Sequence, residues 1–238
     1  RPNPLNGVDV AGPVLATGGT GSFVNHHPLP IRHGLTMGEL ARLFDADEAL
    51  ETKLEIVRMQ GWQRHEYFDR TGLVWTPPSP NLRSVTEALL YPAVGLLEGT
   101  NLSVGRGTDA PFERIGAPWI DGAALARALG EEHVPGLSFE ADAFTPTVVP
   151  FKGQKCGGAR IALVDRARFE PIKAGLAIAR VLFRLYPKEW EIDRLDRMLQ
   201  NPTAVGLVRA GKDPAEVEQT WQAELSKFRE HRKGALLY

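Results

Sequence analysis

The chain has a single cysteine, Cys156, in 238 residues. An internal disulfide is therefore excluded, and so is a zinc site built on cysteines. The histidines are scattered. The six sit at 26, 27, 33, 65, 133 and 231, with no pair at the His-x-x-x-His spacing of a helical metal site. No metal and no cofactor is expected. No apolar run approaches the length of a membrane span. There is no excess of either charge: 28 Lys and Arg face 29 Asp and Glu. That balance offers no basic field to nucleic acid or to an anionic membrane. There is no Gly-x-Ser-x-Gly elbow, and Cys156 has no evident His partner, so a Ser or Cys nucleophile is disfavoured. Gly105-Arg-Gly-Thr108 lacks the Gly-Lys-Ser/Thr ending of a P-loop.

What is present is an unusually polar stretch, Glu98-Gly-Thr-Asn-Leu-Ser-Val-Gly-Arg-Gly-Thr108. Three Gly permit left-handed backbone and a close approach to a ligand. Asn, Ser and Thr supply short donors and acceptors, and Arg a fork suited to a carboxylate or phosphate. Leu102 and Val104 are its only apolar side chains, too few to bury a face. The stretch reads either as a site loop held by a scaffold or as a Gly-rich turn. Glu98 follows an apolar run; burial there would raise its pKa and suit a general acid. The competing reading pairs Glu98 with Arg106 and holds the loop shut. Asp109, Glu113 and Asp121 are the other nearby acids. Trp62, Trp75 and Trp119 lie among polar, Pro or Gly residues. Exposed, they would suit a carbohydrate cleft, where rings lie on the apolar face of a sugar; buried, they are core.

The pattern predicts a mixed α/β (α+β) fold: a small sheet, packed helices and a helical C-terminus. Residues 1–35 read as a connecting, loop-rich segment, with loops at Gly18–Gly21 and His26–Pro30. Residues 36–165 read as mixed α/β with site loops, and 166–238 as helical. Thr36-Met-Gly-Glu39 and Ser84-Val-Thr-Glu87 are capping boxes, opening helices to about Phe44 and Tyr91. Asp121 caps a helix over 122–129. Strands are expected at 53–59, 138–144 and 159–164. Helices are expected at 170–186, 192–199 and 203–210, then one from Asp213-Pro214 to about Lys233. Trp75-Thr-Pro-Pro-Ser-Pro-Asn81 can only be a stiff extended loop. The chain opens in turn chemistry, Arg-Pro-Asn-Pro-Leu-Asn-Gly, as a mature form or a piece of something longer would.

Several ordered segments carry a family resemblance. They are Arg1-Pro-Asn-Pro-Leu5, Pro30-Ile-Arg-His-Gly-Leu-Thr36, Gly61-Trp62, Pro77-Pro-Ser-Pro-Asn81, Glu98-Gly-Thr-Asn101, Gly105-Arg-Gly-Thr108, Gly116-Ala-Pro-Trp-Ile-Asp121 and Phe144-Thr-Pro-Thr147. In that order they resemble the bacterial exo-β-N-acetylmuramidases of the NamZ type, over nearly the whole chain. The resemblance implies a glycoside hydrolase of peptidoglycan recycling that removes N-acetylmuramic acid from non-reducing ends. It implies two lobes, one Rossmann-like, with the active site between them. Family members are longer, with an N-terminal half carrying a Pro-Glu-His-Gly segment whose Glu is a leading candidate for catalysis. That half is not in this sequence, so the chain reads as the C-terminal portion, the second lobe, with the other as its partner.

On this resemblance Glu98 is the catalytic candidate. Asn81, Thr100, Asn101, Arg106, Trp119, Arg32 and His33 are the substrate-binding candidates. The lactyl carboxylate of muramic acid would suit Arg106 or Arg32. Glycosidases commonly use two carboxyls, about 5–5.5 Å apart for retention or about 6.5–9.5 Å for inversion. The second would lie in the other half, or the substrate's N-acetyl group would act instead. The expected partner is a peptidoglycan-derived saccharide, and the expected location is the periplasm or the cell exterior. The rival reading is a non-catalytic module that binds cell-wall sugar or muropeptide.

Overall fold

The computed structural model describes residues 3–14 and 27–238. The expected loop at 18–21 and His26 lie outside them. In chain order the elements are β1 (Ala11–Val14), β2 (Pro30–Arg32), α1 (Met37–Asp47), α2 (Val85–Val94), β3 (Arg114–Ala117), α3 (Gly122–Glu131), β4 (Leu137–Phe144), β5 (Cys156–Leu163), α4 (Pro171–Leu185), α5 (Asp196–Leu199), α6 (Pro202–Arg209), α7 (Pro214–Glu218) and α8 (Gln222–His231). The fold is mixed, as expected, with helices predominating after β5. The chain divides into two compact units, residues 1–76 with 221–238, and residues 77–220.

Among its described residues the first unit has little regular structure: the short antiparallel pair β1–β2, α1, α8 and two 3₁₀ turns, Phe68–Thr71 and Arg232–Ala235. The predicted capping box opens α1. Thr36 Oγ1 accepts from the Glu39 N–H, and Glu39 Oε2 accepts from the Thr36 N–H at 2.8 Å. Glu39 is fully buried, and its other oxygen accepts from the Leu237 N–H and pairs with Arg64. Burial alone would raise this carboxyl; the bonds from Thr36, Leu237 and Arg64 outweigh it and hold the pKa below the ordinary value. Asp47, at the end of α1, accepts from His27 Nε2 (2.9 Å) and His231 Nε2 (2.8 Å).

The strand expected over residues 53–59 does not form. The segment is irregular, and Val57 is 88% exposed. A strand needs a ladder partner. Here the Met59 N–H bonds the Tyr238 hydroxyl instead, and Ile56 lies against Gly38 of α1. The final helix is also not continuous. It breaks after α7, where the Thr220 hydroxyl donates to the Val217 carbonyl and Trp221 is buried before α8 begins.

The second unit is built on a three-stranded antiparallel sheet in the order β3-β5-β4. β3 pairs Gly116 with Gly158 and Ala117 with Gly157. A Cβ on Gly158 would fall on the Ile115 carbonyl oxygen, and one on Gly157 on that of Ile120. The Gly157-Gly158 pair is therefore required by close backbone approach. α3, capped by Asp121 as expected, packs on the β4–β5 face. The amphipathic α4 buries Ile172, Leu176, Ile178, Ala179 and Leu182. It crosses α2 so closely that a Cβ on Gly175 would stand 2.6 Å from the Ala93 carbonyl oxygen. The second predicted capping box, Ser84 with Glu87, opens α2.

Candidate functional site

α2 does not end cleanly. Its last turn tightens into a 3₁₀ segment, Gly95–Gly99, which buries Leu96 and Leu97 and turns Glu98 outward. The stretch that follows is not a solvent-facing turn. Leu102 and Val104 are both buried, contrary to the expectation that two apolar side chains could bury no face. Ser103 exchanges two backbone hydrogen bonds with Gly116 of β3, at 2.8 and 2.9 Å. The loop thus hangs on the sheet edge, which supplies the burial that its own composition could not.

This packing assigns several of the polar side chains. The Thr100 hydroxyl donates to the Leu97 carbonyl (2.7 Å) and accepts from the Trp190 indole N–H (3.1 Å). Asn101 donates to the Glu189 carbonyl and accepts from the Glu191 N–H, both at 2.8 Å. These two expected sugar binders hold the loop to the 189–191 segment. Gly105 (φ +80°) and Gly107 (φ +76°) take left-handed backbone on either side of Arg106 and bring its side chain back to Glu98. Arg106 Nε lies 2.5 Å from Glu98 Oε1, and Nη2 donates to Oε2 at 3.0 Å. The guanidinium also lies over the Phe112 ring, 5.5 Å from its centroid. The pair is half-exposed, with Glu98 at 22% and Arg106 at 36%.

Around this pair stand residues that the sequence did not single out. Tyr91, in the last turn of α2, meets Phe112 edge-on at 4.8 Å. Burial and then the Glu98 charge push its phenol above the ordinary range, against the pull of Arg106. Arg83 donates to the Asp109 carbonyl at 2.7 Å and pairs with Glu87, tying the start of α2 to the loop. Among the nearby acids, Asp109 pairs with Arg114, and Asp121 caps α3. Glu113 behaves differently: burial, then the charge of Glu87, raises its carboxyl, with Arg160, Arg114 and Arg83 opposing. The capping box that marks the start of α2 carried no sign of this cluster.

The remaining candidates have other partners. Asn81 follows the proline turn, and its N–H bonds the Ser79 hydroxyl at 3.4 Å. Half-buried Trp119 meets Tyr186 at 5.3 Å. Arg32 and His33 belong to the first unit. Arg32 donates to the Leu5 carbonyl (2.6 Å) and pairs with Asp9 (3.4 Å). His33 Nδ1 accepts from the Leu35 N–H, and burial, assisted by Arg232, holds its pKa down at about 4. Both side chains are engaged in holding their own unit. Trp62 is buried against the edge of Tyr238 at 5.3 Å, and Trp75 meets Phe68 at 5.0 Å. Trp62 thus takes the core reading.

The geometry therefore offers a carboxylate–guanidinium pair on a loop bonded to the sheet edge, flanked by an aromatic pair. Comparison with known proteins gives it a context. Residues 89–238 match the family described as exo-beta-N-acetylmuramidase NamZ, C-terminal, and residues 1–86 match its N-terminal counterpart. The chain thus carries sequence from both family segments. It is 38% identical to the peptidoglycan beta-N-acetylmuramidase NamZ of Bacillus subtilis (strain 168), over 100% of this chain and 58% of that protein. Two crystal structures of DUF1343 family proteins from Bacteroides fragilis NCTC 9343 also match. They have TM-scores of 0.80 and 0.79 at 27% and 26% identity, covering all of this chain and 65% and 64% of theirs. With matches to both family segments, the chain belongs to the NamZ exo-β-N-acetylmuramidase family.

Proposed function

We propose that this chain is part of a peptidoglycan-directed, exo-acting glycoside hydrolase that releases N-acetylmuramic acid from non-reducing ends. In this reading it supplies part of the active-site cleft and acts in the periplasm or outside the cell. The observation that carries the reading is the 38% identity, over the whole of this chain and 58% of the relative, to a peptidoglycan β-N-acetylmuramidase. The outward Glu98–Arg106 pair supports it. A guanidinium presents donors to a carboxylate, and muramic acid differs from glucosamine by its lactyl carboxylate. Glu98 would orient the sugar or take part in proton transfer, and Trp119 would shape the pocket. Glu113, whose carboxyl is raised by burial and then by the charge of Glu87, is the second carboxyl to test beside it.

A second reading, a non-catalytic module for cell-wall sugar, draws on the same pair. Both Glu98 oxygens already face Arg106, so a proton donor there requires the pair to open. Hydrolysis of a muramyl-glucosamine disaccharide separates the two. Glu98→Gln is expected to lower turnover by about 10²–10⁴-fold, the range of general acid–base catalysis. Wild-type turnover in that variant removes the role from Glu98. Saccharide binding without any release by the unaltered chain leaves the binding module.

A further inference from the structure

Tyr91 is a large aromatic left 40% exposed, yet its ring is tightly restrained. A Cβ on Gly95 would stand 2.9 Å from its Cε2, so only glycine leaves room for the ring on that flank. Its other contact, Phe112, is buried and held at φ +61°, a costly backbone for a bulky residue. Strain of this kind persists where the surroundings over-determine it. Here the Phe112 N–H donates to the Val104 carbonyl at 2.8 Å, and the ring packs between Tyr91 and the Arg106 guanidinium. What this assembly presents is the Tyr91 hydroxyl, which has no hydrogen-bond partner among the described residues, in the field of Glu98 and Arg106. Arg106 donates to Glu98 through Nη2 and sets Nε 2.5 Å from the other carboxylate oxygen as an ion pair, without a well-directed hydrogen bond; its Nη1 arm likewise has no hydrogen-bond partner among the described residues. Two donors without acceptors, one neutral and one cationic, suit a carboxylate rather than a neutral hydroxyl.

We propose that Tyr91 is a specificity-determining residue, whose phenol donates to the lactyl carboxylate of a muramyl group beside the Nη1 arm of Arg106. This rests on the muramidase reading above. Burial and the Glu98 charge keep the phenol in its donor form. The test is Tyr91→Phe, which removes one oxygen and leaves the ring on Phe112 and Gly95. Dissociation constants for N-acetylmuramic acid and N-acetylglucosamine are measured by calorimetry, with a melting curve alongside. Binding of N-acetylmuramic acid is expected to weaken about tenfold, the worth of one hydrogen bond to a charged acceptor. N-acetylglucosamine binding and melting temperature should not move. Equal losses for both sugars, or none, overturn the assignment of Tyr91. An unaltered chain that does not prefer N-acetylmuramic acid overturns the muramyl reading together with it.

Discussion

The two units satisfy their backbones by different means. In the unit of residues 77–220, strand ladders and helices pair most peptide groups, and apolar side chains from α2, α3, α4 and the sheet fill the interior. The unit of residues 1–76 and 221–238 has few ladders. Its carbonyls are met by guanidinium forks: Arg32 on Leu5, Arg64 on Gly34, Arg229 on Val10, and Arg232 on Gly7, Val8 and His33. An irregular chain that is nonetheless packed must find donors for its carbonyls, and Arg carries five N–H groups on one side chain. The difference teaches that one unit depends on apolar volume and the other on charged donors and the acids that balance them.

Glu39→Ala should break the first unit most severely. It removes the acceptor of two backbone N–H groups and leaves largely buried Arg64 without its carboxylate. Stripping one partner from a buried pair costs about 3–5 kcal/mol. Hydrogen exchange at the α1 and α8 amides should accelerate accordingly; unchanged exchange there would show that the arginine network does not depend on Glu39. Gly158→Ala is the matching test of the second unit. Its Cβ would drive against Ile115, an overpacking cost of about 1–3 kcal/mol. Exchange at β3 and β5 reports it, and an unaltered β3 would mean that the strands can separate cheaply.

The smallest effect is one of pH. His33 titrates near 4 in the folded unit against an ordinary 6.5. Above about 6.5 it is neutral in both states, so its contribution is complete. As pH falls from 6.5 towards 4, the unfolded chain gains a proton that the folded site refuses, and stability declines. Below about 4 the loss levels off. The urea midpoint of His33→Asn should fall less than that of the unaltered protein between pH 7 and pH 5. Equal falls would place the acid sensitivity elsewhere.

Signals confined to one turn were the legible ones. Both capping boxes formed with the partners their spacing indicates, and the α4 pattern buried the face it marked. β1, β2 and β3 were missed because each has three or four residues, and their pairing depends on partners distant in sequence. Residues 53–59 erred the other way, with strand-like composition but no ladder to join. At the site, the residue types were readable and their assignments were not. Thr100 and Asn101 look identical as sugar binders and as loop anchors until Trp190 and the 189–191 segment are in place.

By itself the sequence determined the local choices: where helices start, where prolines forbid them, which faces are apolar, and which family the ordered motifs resemble. Those choices depend on neighbours within a few residues, through caps, φ restriction and periodicity. Only the tertiary structure decided that Glu98 faces Arg106, that Phe112 and Tyr91 flank the pair, and that Arg32 and His33 serve their own unit. These depend on burial and on pairs brought together by packing. A side chain's chemical role follows from which of its donors and acceptors the fold leaves without a partner.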